Sequence, residues 1–209
     1  MTTDRQDEFW TPNGFGGDVF VIASGPSLAD VDLERLRGRN TIVVNSSYAA
    51  APWADVLFFM DNGWFYQHRE IVEAWPSLVV TCSRAAKREM PNKVNRVQHE
   101  TRPDFPPAGS PCIRGGRSSG HMAVSLAIAM GAARVVLVGF DMRIVDGRSH
   151  HHDDYADRNL DHQAVVLNEF VEGFEGWNAA ALARGCTILN ATPGSAVTEF
   201  PFVDLDDLI

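Results

Sequence analysis

The fold is decided by the stretch Asp18-Val19-Phe20-Val21-Ile22-Ala23-Ser24-Gly25-Pro26-Ser27-Leu28. A short apolar run ends here in a turn of small residues, and residues 28–36 follow with a helix-like spacing of leucines. A strand, a turn and a helix in this order open a binding site in parallel α/β sheets, because the free N–H groups at the helix start face the ligand. We therefore expect Ser27 to cap this helix and Gly25 to let a ligand approach the backbone closely.

The same turn differs from two well-known phosphate-binding loops. No Gly-Lys-Ser or Gly-Lys-Thr sequence follows Gly25, so the turn is not a Walker A loop. The second and third glycines of the dinucleotide-binding fingerprint are missing as well. An ordinary turn between a strand and a helix, without any ligand, stays an open alternative for this segment when it is considered alone.

The composition is that of an ordinary globular protein. Of the 209 residues, 45% are hydrophobic and 22% are charged, which favours one α/β domain. The formal net charge of −9 argues against a broad basic surface for nucleic acid. The three cysteines form no CxxC pair, and the sequence shows neither a signal peptide nor an apolar run of membrane-spanning length. We therefore expect a cytoplasmic protein that does not enter a membrane.

Short apolar runs alternate with helix-like stretches along the chain, as a parallel sheet with helices on both faces requires. After the first strand, the predicted strands are residues 41–44, 55–60, 77–81, 94–98, 134–138 and 187–189. The predicted helices are residues 64–75, 84–90, 121–130 and 163–184, and the last of these is interrupted at Gly173 and Gly176. Glycine and proline breaks indicate a flexible leader over residues 1–16. Residues 17–209 are predicted to form a single, mostly parallel, Rossmann-like α/β domain.

Five of the predicted strands end in small or polar residues of the kinds that bind ligands. These residues are Ser24, Gly25, Asn45, Ser46, Asp61, Asn62, Gly139, Asp141, Asn190 and Ser195. Since the carboxyl ends of parallel strands lie along one edge, we expect these residues to form a common pocket. Ser118, Ser119 and Gly120 open a further helix and provide a second N-terminus for an anion. Together with Pro26 and Ser27, they predict a nucleotide site in which backbone amides bind phosphate and Asn side chains bind the base or ribose.

A histidine-rich loop follows the strand predicted at residues 134–138 and contains His150, His151, His152 and Tyr155. Because histidine titrates near neutral pH, one interpretation is a general base or acid, with Tyr155 stabilising a departing phosphate. A second interpretation is a zinc, iron or manganese site, although three adjacent side chains converge on one ion only if the loop coils. A solvated surface loop is the third.

The order of these segments resembles a known family. Residues 25–28 after the first strand, Asn45 after the second and residues 58–63 after the third make up its first half. Residues 119–120, 127–131 and 136–141 make up its second half. This ordered set resembles the bacterial CMP-sialic-acid sialyltransferases, and equally the 6-hydroxymethylpterin diphosphokinase-like family that shares their core. The loops at residues 149–155 and 190–195 look most like those of family members carried by phages and prophages.

The resemblance to the sialyltransferases implies a CMP-sugar bound by the Gly25 turn, Asn45 and Ser119-Gly120. It also implies a metal-independent mechanism in which a loop histidine is the base and tyrosines stabilise the leaving phosphate. The sequence departs from this pattern, because only Tyr155 is available in the loop and Asp61 stands where the sialyltransferases have Asn. A carboxylate there repels phosphate unless a cation intervenes. Asp61 and Asp141 therefore favour Mg²⁺ with a nucleoside triphosphate, as a diphosphokinase needs.

The leading hypothesis is a transferase that uses a nucleotide-activated donor, either a nucleotide sugar such as a CMP-sugar or ATP, on a small hydroxyl-bearing acceptor. Within this class, Mg-ATP-dependent diphosphate transfer to a pterin-like alcohol is the alternative, and Mg²⁺ is the only cofactor that it calls for. A non-catalytic nucleotide-binding protein and a metal-dependent hydrolase built on the histidine-rich loop represent other classes. The sequence leaves the donor, the acceptor and homo-oligomer formation open.

Overall fold

The computed structural model describes residues 9–102, 104–154 and 159–209, and its core is a seven-stranded parallel sheet. The strands are β1 (Asp18–Ile22), β2 (Asn40–Val44), β3 (Val56–Phe59), β4 (Leu78–Thr81), β5 (Val94–Arg96), β6 (Gln98–Glu100), β7 (Cys112–Arg114), β8 (Arg134–Val138) and β9 (Thr187–Asn190). The main sheet has the order β5-β4-β3-β2-β1-β8-β9, and β6 pairs with β7 in a separate small sheet. The helices are α1 (Asn62–Gln67), α2 (Arg69–Ala74), α3 (Arg84–Glu89), α4 (Ser119–Ala129), α5 (Leu160–Glu172) and α6 (Trp177–Leu182).

Hydrophobic cores cover both faces of the main sheet, as the unbroken apolar strands predict. Successive residues of β1 enter different cores, because side chains alternate between the faces of a strand: Val19 and Val21 lie in one, and Phe20 and Ile22 in the other. Helix α4 is buried from Gly120 to Ala129 against the first of these cores. The predicted fold class, a mostly parallel Rossmann-like α/β sheet, is confirmed.

The strand order places a topological switch point beside β1. From β1 the chain builds the sheet outward through β2, β3, β4 and β5 on one side, and it later returns to add β8 and β9 on the other. Strand β1 pairs with β2 and with β8, both in parallel. Ligands of open α/β sheets bind in the crevice outside the carboxyl ends of the strands at such a point. The turn after β1 and the turn after β8 therefore border the expected site.

Several predicted helices and one predicted strand are wrong in their extent. Residues 28–36 form no α-helix; two short 3₁₀ helices, Pro26–Asp30 and Leu33–Leu36, are separated there by Val31 and Asp32. The interruption predicted within residues 163–184 is confirmed, because α5 ends before Gly173 and α6 begins after Gly176, which is left-handed with φ of 78°. The helix predicted at residues 64–75 is divided at His68, and the strand predicted at residues 94–98 is divided into β5 and β6.

The predicted leader is attached to the sheet domain over the part that the structure describes. Residues 9–16 form no helix or strand, yet the Trp10 N–H donates to the Arg96 carbonyl at 2.7 Å and the Phe15 N–H to the Met130 carbonyl at 3.1 Å. Both aromatic side chains also pack against the core. These contacts join residues 9–16 to the sheet domain, whereas the flexibility of a leader over residues 1–16 stays a prediction, and residues 1–8 lie outside the described part.

Among the described residues, none of the helices is both long enough and apolar enough to span a membrane.

Candidate functional site

A cavity of about 670 Å³ opens at the carboxyl ends of β1, β2, β3 and β8, where the switch point lies. It is lined by these residues of the predicted site: Ser24, Gly25, Asn45, Asp61, Ser118, Ser119, Gly120, Gly139 and His150. Helix α5 supplies the facing wall with Gln163, Val166, Leu167 and Phe170. The contribution of α5 escaped sequence analysis, because its mainly apolar lining is typical of any helix that packs against a core.

Asn45 is the most unusual residue of this cavity. It directly follows β2 and adopts the left-handed conformation with φ of 50°, which few residues other than glycine adopt. Its side-chain carbonyl oxygen, Oδ1, is buried and accepts no hydrogen bond from any described residue. A buried acceptor without a donor is unfavourable, so the cavity is complementary to a ligand that brings an N–H or O–H group to Asn45.

The N-terminus of α4 forms a second wall. The hydroxyl oxygen of Ser118 caps the helix by accepting the backbone N–H of His121 at 3.2 Å. The earlier N–H groups, those of Ser119 and Gly120, have no acceptor within an α-helix and carry the positive end of its dipole. Arg117 adds a guanidinium group at the cavity edge, where its side chain is 78% exposed. This wall therefore suits an anionic group such as phosphate.

The turn after β1 is built differently from the sequence prediction. Ser27 does not cap the following helix through its side chain; it clamps Asp141, donating its N–H to Oδ1 at 3.1 Å and its hydroxyl to Oδ2 at 2.7 Å. The Gly25 N–H donates to the Gly139 carbonyl at 2.8 Å. A Cβ atom at Gly25 would overlap the Asp141 carboxylate and lie 2.6 Å from the Gly139 oxygen. Gly25 is therefore required for the close contact between the β1 and β8 turns.

Asp61 and Asp141, the two residues predicted to hold Mg²⁺, border different cavities. Asp141 is 2% exposed, is held by Ser27 and borders a second cavity of about 460 Å³, together with Pro26 and His151. Asp61 borders the first cavity and uses Oδ1 to cap α1, accepting the Trp64 N–H at 2.8 Å. Within the described ranges, no group of three or more His, Cys, Asp or Glu side chains is arranged to hold a metal ion. Because one or two carboxylates with substrate phosphates are enough for Mg²⁺, binding of Mg²⁺ by Asp61 and Asp141 stays a prediction.

The three histidines of the loop lie in different surroundings. His150 borders both cavities, and its Nδ1 lies 2.8 Å from the Ser149 hydroxyl. His151 is bound to the Ser24 carbonyl through its backbone N–H at 2.9 Å, and burial lowers the pKa of its imidazole. Burial and the neighbouring His151 lower the pKa of His152 to about 4. His150 is therefore the loop histidine best placed to act in the cavity, while Tyr155 lies outside the described residues.

Asp154 fastens this loop to the sheet, a role that sequence analysis missed. Its carboxylate accepts hydrogen bonds from the Ser46 hydroxyl and, at 3.2 Å, from Nε2 of His68. The Ser46 oxygen also accepts the indole N–H of Trp64 at 2.9 Å. Ser46 thus anchors the loop and is not part of the cavity wall. Because 108 positions separate Ser46 from Asp154, no local pattern indicates their contact.

The other predicted site residues stabilise loops instead of lining either cavity. Asn190 donates to the Val197 carbonyl at 2.9 Å and accepts the Thr192 N–H at 3.0 Å. The Ser195 hydroxyl donates to the Phe140 carbonyl at 2.5 Å. The side-chain oxygen of Asn62 accepts the Ser83 hydroxyl at 2.6 Å. These side chains already use polar atoms within the fold, which is why a polar strand end alone is a weak indicator of binding.

Known proteins resemble this chain in fold, whereas no model of a known protein family and no curated protein matches it in sequence. The sialyltransferase CST-II in complex with a trisaccharide acceptor and CMP has a TM-score of 0.55 at 16% identity, over 88% of this chain and 84% of that one. A tyrosine-to-phenylalanine variant of CST-II in complex with CMP has a TM-score of 0.54 at 15% identity, with the same coverage. CstII from Campylobacter jejuni in complex with cytidine-5'-monophosphate matches at 0.47 and 13% identity, over 88% of this chain and 83% of that one. At these identities the chain shares the fold of the sialyltransferase CST-II.

Proposed function

We propose that this protein is a glycosyltransferase that uses a CMP-activated sugar as its donor and a hydroxyl-bearing molecule as its acceptor. The observation that carries the proposal is the unpaired, buried Oδ1 of Asn45, a left-handed residue that lines the same switch-point cavity as the N-terminus of α4. A cavity of about 670 Å³ has the size of a nucleotide site. The likeness in fold to CST-II, whose structures contain CMP, supports the choice of CMP as the nucleotide of the proposed donor.

Different walls of the cavity bind different parts of such a donor. The amides of Ser119 and Gly120, with Arg117 at the edge, bind the phosphate, and Asn45 accepts a hydrogen bond from the nucleoside. His150 is the general base that removes the proton of the acceptor hydroxyl, because it stands on the wall shared by the two cavities. The N-terminus of α4 and the Arg117 guanidinium supply the positive charge that stabilises the departing CMP.

Diphosphate transfer from Mg-ATP has no comparable support. That reaction needs carboxylates that hold Mg²⁺ between the phosphates. The Asp141 carboxylate instead binds the Ser27 N–H and hydroxyl, and it faces a different cavity from Asp61. The donor that agrees with these contacts is one whose single phosphate can be bound without a metal.

Nucleotide titration tests the proposed donor. Calorimetry with CMP, UMP, AMP and ATP, each in Mg²⁺ and in EDTA, is expected to show the tightest binding for CMP and the same CMP affinity in both buffers. A CMP concentration 100 times its dissociation constant stabilises the fold by about 2.7 kcal/mol, which thermal unfolding detects. Binding of ATP that requires Mg²⁺ would contradict the proposal, as would the absence of CMP binding at millimolar concentration.

Release of CMP from CMP-sialic acid, measured with and without a panel of oligosaccharide acceptors, tests the catalytic role. The His150→Ala variant is expected to lose about 100-fold or more in turnover while it keeps the CMP affinity of the native chain. His162→Ala is the matched control, because His162 borders the same cavity from α5. A loss confined to the control would reassign the base. CMP binding without any turnover of the donor would identify a nucleotide-binding protein that performs no chemistry.

A further inference from the structure

His121 is a buried histidine for which the proposed reaction has no direct use. It lies in the first turn of α4 and is 0% exposed. Its ring stacks on Phe174, with centroids 4.0 Å apart, and forms an edge-to-face pair with Trp177, with centroids 5.1 Å apart. Nδ1 lies 2.6 Å from the hydroxyl oxygen of Ser118, which borders the cavity. A polar ring in an aromatic cage, joined to a cavity residue by one short hydrogen bond, points to a role beyond packing.

The surroundings of the ring decide which nitrogen carries the proton. Burial lowers the pKa of His121 to about 4, so the imidazole is neutral at pH 7 and holds a single N–H. On the side of the ring away from Ser118, the Phe170 backbone interacts with the His121 imidazole, and both Nε2 and the Phe170 carbonyl oxygen lie close to Gly173. No described residue gives Nε2 a hydrogen bond of ordinary geometry. A protonated Nε2 is attracted by this carbonyl, whereas a bare lone pair would be repelled. The proton therefore resides on Nε2, and Nδ1 is an acceptor.

This tautomer determines what the Ser118 hydroxyl can offer to a ligand. The hydroxyl proton points to Nδ1 of His121, and one lone pair of the oxygen accepts the His121 backbone N–H. A hydroxyl has one proton and two lone pairs, so a single lone pair is left for the cavity. Ser118 can then accept a hydrogen bond from a ligand but cannot donate one.

We propose that His121 is a positioning residue that holds Ser118 as an acceptor only, so that Ser118 selects a ligand group carrying O–H or N–H and discriminates against phosphate oxygens. This assigns the phosphate to the amides of Ser119 and Gly120 and a nucleoside donor group to Ser118. Within the proposed function, the groups that meet this requirement are the ribose 2′-hydroxyl, the ribose 3′-hydroxyl and the exocyclic amine of cytosine. The identity of the ligand rests on the proposed function, but the orientation of the hydroxyl does not.

The first test concerns the native protein without ligand and is independent of the proposed function. Nitrogen-15 NMR of the imidazoles at pH 7, with His121 assigned by comparison with His121→Phe, is expected to show a protonated Nε2 and an unprotonated Nδ1. A proton on Nδ1 would overturn the inference, because the Ser118 hydroxyl would then be free to donate to the cavity. This result stands whether or not the protein binds CMP.

The second test compares the binding of CMP with that of 2′-deoxy-CMP, 3′-deoxy-CMP and UMP. Each analogue lacks one of the three donor groups, so one of them is expected to bind the native chain about tenfold more weakly than CMP. In Ser118→Ala the ratio of the dissociation constants of that analogue and CMP is expected to fall to within about twofold, since the acceptor that distinguishes CMP from the analogue is gone. In His121→Phe it is expected to fall as well, because the released hydroxyl can turn toward the cavity and also donate.

Ser83→Ala is the matched control. Ser83 caps α3 by accepting the Ala86 N–H at 3.0 Å, so its removal costs a helix cap, as in Ser118→Ala, at a site that does not border the cavity. The control is expected to keep the native ratio. The inference would be overturned if Ser118→Ala kept the native ratio of dissociation constants. It would also be overturned if the native chain bound CMP and all three analogues equally well. If CMP does not bind at all, the proposed function fails, and the NMR result alone decides the inference.

Discussion

At the scale of single residues, Asn45 combines two features that the fold by itself would not favour. Its backbone is left-handed, and its buried Oδ1 has no donor among the described residues. The unpaired acceptor alone costs about 1–3 kcal/mol when it is kept from water. Strain of this kind persists where the surrounding structure enforces it, and it concentrates at binding sites. A substitution of Asn45 is therefore expected to weaken ligand binding without lowering the free energy of unfolding to the same degree.

Replacement Asn45→Gly is the corresponding prediction. Glycine adopts a φ of 50° without strain and removes the unpaired oxygen, which offsets its greater freedom in the unfolded chain. We expect the free energy of unfolding in urea to change by no more than about 1 kcal/mol, while CMP binds about tenfold more weakly. Asn45→Ala is the comparison, and its backbone strain makes it less stable than the glycine variant. Unchanged CMP affinity in both would remove Asn45 from the site.

At the scale of elements, the contact between the turns after β1 and β8 organises the switch point. The Gly25 N–H, the Ser27 N–H and the Ser27 hydroxyl all bind the second turn, through Gly139 and Asp141. These bonds fill the crevice between the two strand ends on one side. They leave the first cavity open on the side of α4 and α5. The two hydrogen-bonded turns thus form one wall of the ligand cavity.

Gly25→Ala is expected to lower the free energy of unfolding by about 1–3 kcal/mol, because its Cβ would overlap the Asp141 carboxylate and the Gly139 carbonyl. Gly16→Ala is the control, since a Cβ there has no atom within 4 Å and the backbone lies outside the left-handed region. Urea unfolding of both variants provides the comparison. Equal stabilities would show that the turns can separate at little cost.

At the scale of the whole molecule, two buried neutral histidines make the free energy of unfolding depend on pH. Burial lowers the pKa of His121 to about 4, and burial with the neighbouring His151 lowers that of His152 to about 4, against 6.5 for the ordinary side chain. Between these values the unfolded chain binds protons that the folded chain does not. The folded pKa values are depressed, so this stability is complete above pH 6.5 and is lost as the pH falls toward 4.

We therefore expect the free energy of unfolding to decline steeply between pH 6.5 and 4. His121 alone accounts for about 3 kcal/mol over this range, and His121→Phe is expected to make the decline shallower by about that amount. Urea denaturation at a series of pH values measures it. The same slope in native and variant chains would mean that His121 is protonated within the fold. Thr187→Ser, at the start of β9 and far from any histidine contact described above, serves as a neutral comparison.

The sequence alone was sufficient to predict the sheet and the edge that holds the cavity. Unbroken apolar runs such as those of β1 and β8 specify buried parallel strands, and parallel strands bring their carboxyl ends to one edge. Gly25, Asn45 and Ser119 follow from that rule, because each lies directly at a strand end or a helix start. The extents of local helices were less predictable: residues 28–36 have a helix-like spacing of leucines, yet they contain short 3₁₀ helices and no α-helix.

Only the tertiary structure decided which polar side chain serves the ligand and which serves the fold. Asp141 and Ser27 are 114 positions apart, yet their hydrogen bonds give the Asp141 carboxylate a part in joining the β1 and β8 turns. The contact of Asp154 with Ser46 likewise fixes the loop that turns His150 to the cavity. Adjacent polar residues in a sequence look alike, because hydrogen bonding depends on direction and partner, and both are set when distant segments pack.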